Sequence, residues 1–178
     1  MTSQAVTHES DVVARCQDGD REAFRWVVDE YGDTLFGIAF LMTRNRQAAE
    51  DIVQETFVSV WKSITRFKRG RPMKPWIIRI LVNHVRMQLR RKLPNVTNVD
   101  PDSIPASPSA FRQVERRQEI YRALKSLSKD QREAIVLKYF ADLTTKEVAK
   151  ATGAREGTVK SRLHRAIARM QTVLGEEV

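Results

Sequence analysis

The sequence predicts an all-α protein made of two small helical domains joined by a flexible linker. Apolar residues recur at helical spacing along most of the chain, and runs that alternate apolar and polar residues, as strands do, are absent. Four of the six prolines fall within residues 93–110. Proline disfavours helix at its own position and at the residue before it, so this stretch is predicted to be the linker. The predicted domains are therefore residues 8–92 and 111–175.

Four helices are predicted in the front domain. Apolar residues at helical spacing follow Asp20, and the same spacing continues through 35–42 as a second helix. Asn45 is the predicted N-cap of a third helix. A loop over 65–74 precedes the last helix, which has Pro75 in its first turn.

The back domain is predicted to end in a helix-turn-helix. A helix over 111–127 is followed by a second helix that Ser128 caps. Thr144, with a glutamate three residues later, has the capping-box form and begins a short helix that Gly153 ends. A longer helix follows over about 155–174. Two helices joined by a short glycine-containing turn are typical of this motif.

The charge of the chain is unevenly distributed. Residues 1–55 carry 5 basic and 11 acidic side chains, whereas residues 56–93 carry 11 basic ones and no acidic one. Residues 115–178 carry 14 basic and 9 acidic side chains. A strongly basic middle is typical of a protein that binds a polyanion, because cations near phosphates release condensed counterions. The alternative is a merely solvated basic surface.

Several functional classes are not favoured by the composition. We expect neither a membrane span nor a secretory leader, because the sequence shows no eighteen-residue apolar run and no charged-then-apolar leader. Cys16 is the only cysteine, which is consistent with a reducing cytoplasm, and we interpret it as a buried inert thiol rather than an oxidant sensor. The three histidines lack metal-ligand spacing, so neither a metal nor a cofactor is expected.

The second helix of the predicted helix-turn-helix has one polar side. If Val159, Leu163 and Ile167 face the core, the opposite side carries cations, a hydroxyl and an imidazole. Such a helix fits the major groove, where these groups meet base edges and phosphates. The alternative is a basic, solvated helix in a small bundle. The residues on the polar side are Lys160, Ser161, His164 and Arg165.

Five segments together resemble the extracytoplasmic-function sigma factors of the sigma-70 family, in the expected order and over roughly 160 residues. In the back domain these are SKDQREAIVL at 128–137 and GTVKSRLHRA at 157–166. In the front domain they are AEDIVQETF at 49–57, RF at 66–67 and PWIIRILVN at 75–83. The resemblance implies a non-enzymatic protein that docks on RNA polymerase, reads promoter DNA and works in the cytoplasm.

The resemblance implies that the C-terminal helix-turn-helix reads the promoter −35 element. Its base-reading positions fall on Lys160, Ser161, His164 and Arg165, the strip also predicted from helical spacing. Arg155 and Arg162 are expected to contact phosphates. For Arg162 the alternative is a cation that extends over the domain surface.

The resemblance further implies that the front domain melts and captures the −10 element. A flipped base needs a pocket, which maps to Ser63, Phe67 and Asn83, and an unpaired strand needs cations along its backbone. For Trp61 and Trp76 core packing is favoured over base stacking. The cations expected at the −10 element are Arg66, Lys68, Arg69, Arg71, Arg79 and Arg86.

Two protein partners are also implied. Asp51, Gln54 and Glu55 share one helical face, which in the family grips core RNA polymerase. An anti-sigma factor that holds the protein inactive is a hypothesis from the family. In the linker, Asp100 and Asp102 are expected either in the RNA-exit path of the polymerase or as plain spacer residues.

Two other functions explain the sequence less completely than a sigma factor does. A DNA-binding regulator that never touches polymerase explains the back domain but not the 51–55 face or the basic loop. A nucleic-acid-processing enzyme would need clustered carboxylates for metal ions or a glycine-rich phosphate loop. The basic middle contains no carboxylate and no such loop is present, so no catalytic residue is predicted.

Overall fold

The computed structural model describes residues 2–91 and 119–175, with side chains from residue 9 onward, and these residues are helical without strands. The predicted linker at 93–110, with Asp100 and Asp102, and the start of the helix predicted at 111–127 lie outside the described residues. The all-α fold class is confirmed.

The front unit is a bundle of four helices. They are α1 (Thr2–Gln17), α2 (Arg21–Thr43), α3 (Arg46–Ser63) and α4 (Met73–Arg90), with a 3-10 turn, Ile64–Arg66, after α3. Helix α2 packs against each of the other three, so it lies at the centre of the bundle.

Side-chain caps define where the front helices begin. The Asp20 carboxylate accepts from the backbone N–H groups of Glu22 and Ala23, and Asn45 Oδ1 accepts from the N–H of Ala48 at 2.8 Å. These bonds satisfy donors that have no partner inside the helix. The predicted cap at Asn45 is confirmed, and Asp20, predicted as the start of a helix, is also a cap.

Helix α2 differs from the prediction, which divided this region into two helices. It runs without a break from Arg21 to Thr43 and passes through Gly32. Glycine inside a helix costs about 1 kcal/mol relative to alanine. Burial of Val27, Leu35 and Ile38 along the same helix outweighs that cost.

The back unit begins with α5, of which the structure describes 119–125, and continues with α6 (Lys129–Ile135). A π-helical turn, Val136–Phe140, extends α6. Helices α7 (Thr145–Thr152) and α8 (Glu156–Leu174) form the predicted helix-turn-helix. Helices α6 and α7 begin directly after the predicted caps Ser128 and Thr144, both of which form capping boxes.

One residue predicted for the core of the back unit lies elsewhere. Val159 and Leu163 of α8 are buried as expected, but Ile167 is 37% exposed. Ala166 is fully buried in its place. With 3.6 residues per turn, position 166 returns to the buried side that begins at Val159, and position 167 does not. The prediction of Ile167 as a core residue was therefore wrong, and Ala166 takes that place.

The two units touch each other. Helix α4 packs against α7, and α2 packs against the π-helical turn, where the Phe140 ring lies on Gly37. A groove of about 800 Å³ remains beside this contact, between α2, α5 and α8. Its lining is mostly apolar and includes Ile120, Tyr121, Tyr139, Ile167 and Met170.

Among the described helices, none combines the length and apolar character needed to cross a membrane.

Candidate nucleic-acid interface

The N-terminal half of α8 presents the polar strip that its sequence predicts. Val159 and Leu163 are buried on the inner side of α8, and Arg155 is exposed at the N-cap position. Arg165 Nε donates to the Ser161 carbonyl at 3.2 Å, which holds the guanidinium along the helix. The exposed residues of the strip are Lys160, Ser161, His164 and Arg165.

Helix α7 and its turn set the position of α8. Thr144 N–H donates to Glu147 Oε2 at 2.8 Å, and Glu147 N–H donates to Thr144 Oγ1 at 3.3 Å, so the two residues cap each other. Gly153 ends α7 with φ +67°. A side chain in this left-handed conformation would cost about 1–2 kcal/mol, which explains a glycine here. The arrangement can present α8 to a major groove.

Arg162 takes a different position from the rest of the predicted set. Its guanidinium pairs with Asp130 of α6, and its side chain is only 21% exposed. Because the Asp130 side chain is 59% exposed, the pair is weak and a phosphate could replace the carboxylate. The structure therefore places Arg162 at the edge of the strip and not on it.

The basic loop between α3 and α4 exposes most of its cations. Phe67, in the middle of the loop, is buried. It is 8% exposed, and the centroid of its ring lies 4.6 Å from that of Trp76. Met73, at the end of the loop, is fully buried. The loop therefore has an apolar base and a basic surface. The exposed cations are Arg66, Lys68, Arg69 and Arg71.

Two residues of α1 hold this loop, and sequence reasoning missed both. Gln17 Nε2 donates to the carbonyls of Ile64 at 2.9 Å and Phe67 at 2.8 Å, and Gln17 Oε1 accepts from Arg69 Nε at 2.6 Å. Glu9 Oε1 accepts from the N–H of Met73 at 2.8 Å. These contacts span 47 to 64 residues of sequence, so no local pattern could have indicated them.

The three residues predicted to form a base pocket have different surroundings in the structure. Ser63 Oγ donates to the Ser59 carbonyl at 2.6 Å, Phe67 is buried, and Asn83 is exposed on α4. Ser59 Oγ lies 2.9 Å from His84 Nε2, which fixes the register of α3 against α4. In that register Ser63 and Asn83 are about one helical turn apart along the hairpin.

The two predicted cations of α4 have different surroundings. Arg79 is exposed. Arg86 instead points to the back unit, where it contacts Glu133 at 2.6 Å and the Thr152 carbonyl at 2.8 Å. The expected free cation at this position is therefore engaged between the two units.

The predicted polymerase-facing residues share an exposed face of α3. Asp51, Gln54 and Glu55 are all exposed and line a shallow depression. Val58, 52% exposed, lies in the same depression and was not predicted. The sequence could have indicated Val58, since it lies four positions after Gln54 and therefore on the polar face of the helix and not on the core side.

His84 links this face to α4. Its Nδ1 lies 3.2 Å from Glu55 Oε2, without the geometry of a hydrogen bond, and its side chain is 18% exposed. A protonated imidazole would hold the Glu55 carboxylate against α4.

Cys16 lies in the core and not at any of these surfaces. It is 1% exposed, and burial, with a smaller contribution from Asp20, raises the pKa of its thiol to about 11. The interpretation of Cys16 as a buried thiol is confirmed. Within residues 9–91 and 119–175, no cluster of histidine, cysteine and carboxylate side chains has a metal-binding arrangement.

Fold and site together define a class of protein: a two-unit helical protein that carries a helix-turn-helix, a basic loop and an exposed acidic face on α3. The family model "Sigma-70, region 4" matches residues 117–170, and "Sigma-70 region 2" matches residues 27–93. The first falls on the helix-turn-helix unit and the second on the bundle that carries the basic loop.

Curated relatives agree with these matches over most of the chain. The RNA polymerase sigma factor CarQ of Myxococcus xanthus is 30% identical over 165 residues, covering 91% of this chain and 95% of CarQ. The ECF RNA polymerase sigma factor SigM of Mycobacterium tuberculosis is 31% identical, covering 94% of this chain and 85% of SigM. The ECF RNA polymerase sigma factor SigW of Bacillus subtilis is 28% identical, covering 86% of this chain and 89% of SigW.

Solved structures show the same fold. The sigma factor RpoE from Bartonella quintana, solved with the anti-sigma factor NepR, superposes with a TM-score of 0.72 at 27% identity, covering 87% of this chain and 98% of that one. CnrH, solved with the cytosolic domain of CnrY, gives a TM-score of 0.72 at 24% identity, covering 96% and 99%.

The chain belongs to the sigma-70 family and is an extracytoplasmic-function RNA polymerase sigma factor that recognises promoters. The family is one of transcription initiation factors.

Proposed function

We propose that the two units divide promoter recognition between them, the back unit reading the −35 duplex and the front unit capturing the melted −10 strand. Residues 8–92 and 111–175 act as the two domains, with 93–110 as the linker. The observation that carries the proposal is the exposed strip on α8, which follows a capped helix and a glycine turn as a major-groove reader requires.

The back unit reads bases with one set of side chains and holds phosphates with another. Arginine and lysine recognise guanine edges in the major groove, and a hydroxyl or imidazole can bond to several bases. Arg155 at the N-cap and Arg162 at the edge of the strip are placed to meet the DNA backbone, which fixes orientation without reading sequence. The base-reading set is Lys160, Ser161, His164 and Arg165.

The front unit holds the unpaired strand with the cations of its basic loop and of α4. Four exposed cations on one loop give the positively charged surface that a single strand needs. Asn83 is exposed and can bond to the edge of a flipped base, whereas Ser63 at the end of α3 and the buried Phe67 support the loop. The cations of the −10 site are Arg66, Lys68, Arg69, Arg71, Arg79 and Arg86.

The α3 face binds core RNA polymerase through Asp51, Gln54 and Glu55, with Val58 as an apolar contact one helical turn further along α3. Carboxylates around an exposed valine suit a partner surface that carries arginines beside an apolar patch. The protein itself has no catalytic role in this scheme, and it acts in the cytoplasm, where promoter DNA is transcribed.

An anti-sigma factor is the proposed regulator, and the groove beside the contact between the units is its proposed docking site. RpoE of Bartonella quintana was solved with an anti-sigma factor. Here the groove exposes apolar side chains such as Ile120, Tyr139 and Ile167, a surface that suits the apolar face of a helix.

We expect Thr34→Lys, at the wall formed by α2, to raise promoter activity in the host without changing transcription by the purified protein. If Thr34→Lys and the wild type have equal promoter activity in the host, the groove is not the docking site.

The test of base reading compares two arginines on the back unit. With −35 duplex libraries, we expect Arg165→Ala to relax base preference at one position, at a cost of about 1–3 kcal/mol for the preferred base. Arg155→Ala should weaken binding to all sequences alike and reduce the salt dependence. Unchanged preference in Arg165→Ala would contradict the assignment.

The test of strand capture uses Asn83→Ala in complex with core polymerase. We expect promoter opening, followed by permanganate reactivity of unpaired thymines, to be impaired while −35 binding is unchanged. Normal opening in this variant would exclude Asn83 from the −10 site.

A further inference from the structure

The two units are joined by one guanidinium of the front unit that lies in an acceptor site on the back unit. Arg86 Nε donates to Glu133 Oε1 at 2.9 Å, and Arg86 Nη2 donates to Glu133 Oε2 at 2.6 Å. Two parallel bonds of this kind are the most directional that arginine makes with a carboxylate. Arg86 Nη1 also donates to the Thr152 carbonyl at 2.8 Å. That carbonyl belongs to the last residue of α7, where the helix dipole attracts a cation.

Glu133 depends on this partner. Its side chain is 9% exposed, and in the described part of the chain its ion pair is with Arg86. A carboxylate removed from water is costly unless a cation and hydrogen bonds compensate it. Separation of the two units would leave Arg86, 33% exposed, free to bind another anion.

A second contact between the units is shaped to fit. The Phe140 ring of the back unit lies against Gly37 of α2, so close that a Cβ on residue 37 would lie 2.4 Å from Phe140 Cζ. Any side chain at position 37 would therefore displace the ring. Helix α2 has a glycine at the point where the back unit docks, although glycine weakens a helix.

We propose that Glu133 and the C-terminal end of α7 form an acceptor surface for Arg86 of the same chain, and that promoter DNA competes with this surface for the guanidinium. The competition rests on the proposed assignment of Arg86 to the −10 strand. The joined arrangement of the units is the closed state.

The closed state cannot bind both promoter elements at once. Elements named −35 and −10 are centred about 25 base pairs apart, which is about 85 Å along a duplex at about 3.4 Å per pair. Helix α8 has 19 residues and is about 28 Å long, and it packs on α6, which carries Glu133. In the front unit, α4 carries Arg86 and begins at the basic loop, and its 18 residues are about 27 Å long. Units joined through Arg86 and Glu133 therefore cannot span that distance. Promoter binding requires opening, and the apparent DNA affinity of the free chain falls with the fraction that is closed.

The experiment uses the full chain without polymerase and two measurements. Small-angle X-ray scattering gives the overall size, and fluorescence anisotropy gives affinity for a mixed-sequence single-stranded oligonucleotide. We expect Glu133→Gln to enlarge the molecule and to tighten strand binding about tenfold, as the loss of a charged hydrogen-bonded pair implies. Gly37→Ala should act in the same direction without any change in charge.

The matched control is Glu119→Gln, which removes the same charge from an exposed position of the back unit and should leave both measurements as in the wild type. Unchanged size in both Glu133→Gln and Gly37→Ala, with helicity retained by circular dichroism, would overturn the closed state. The double variant Arg86→Gln with Glu133→Gln separates the two claims. If it is enlarged but binds the strand as tightly as Glu133→Gln alone, the assignment of Arg86 to DNA fails while the closed state stands.

Discussion

Gln17 shows how a single amide can fix the shape of a loop, here the one proposed to bind DNA. Its two N–H groups and its oxygen are all engaged, by the carbonyls of Ile64 and Phe67 and by Arg69 Nε. Two of these bonds hold the loop backbone, and the third orients a cation proposed to contact DNA. Gln17 thus connects α1, which makes no proposed DNA contact, to the −10 site.

We expect Gln17→Ala to impair promoter opening while leaving −35 binding unchanged. Loss of hydrogen bonds to the loop should also lower the free energy of unfolding by about 1–3 kcal/mol, measured by urea denaturation. Gln171→Ala, on α8 in the back unit, is the control and should open promoters normally. Normal opening by Gln17→Ala would show that the loop keeps its shape without this amide.

Cys16 is expected to be unreactive in the folded protein. A thiol pKa raised from 9.0 to about 11 leaves about a hundredfold less thiolate at pH 8 than in the unfolded chain. Iodoacetamide should therefore label Cys16 only after denaturation, as followed by mass spectrometry. Rapid labelling under native conditions would show that the α1 core opens.

The same shift predicts how stability depends on pH. The folded state keeps its thiol proton to higher pH than the unfolded state, so the contribution of Cys16 is fully present below about pH 9 and is lost as the pH rises toward 11. Cys16→Ala should weaken the loss of stability over this range, which urea denaturation at several pH values would measure. If stability depends on pH in the same way in Cys16→Ala and the wild type, the Cys16 thiol is not the group responsible.

At the scale of elements, the features that were predictable are those that depend on neighbouring residues. The caps at Asp20, Asn45, Ser128 and Thr144 and the turn at Gly153 each follow from a side chain bonding to backbone within three residues, or from a left-handed φ. The continuous helix α2 and the burial of Phe67 were not predictable in this way. Both depend on packing against segments distant in sequence.

The cap of α7 should matter for DNA binding as well as for stability. We expect Thr144→Ala to lower the free energy of unfolding by about 1 kcal/mol, because the N–H of Glu147 loses its acceptor. Binding to −35 duplex should weaken for all sequences alike, since α7 supports α8. Thr172→Ala, near the end of α8, is the control, and equal stability of the two variants would contradict the role of the cap.

At the scale of the whole molecule, sequence reasoning did not indicate the contact between the two units. Arg86 and Glu133 are 47 residues apart, and each alone resembles an ordinary surface charge in the sequence. The positions of the exposed α8 strip and the exposed α3 face could be predicted from helical period. The engagement of Arg86 could not, because it depends on how one unit lies against the other.

The central claim is that this chain gives RNA polymerase its choice of promoter. The most direct measurement is transcription in vitro by purified core polymerase over a promoter library, with and without the full chain, followed by sequencing of the transcript 5′ ends. The account predicts starts at a defined set of promoters only when the chain is present, with a shared −35 sequence whose preference Arg165→Ala relaxes. Identical start sites with and without the chain would contradict it.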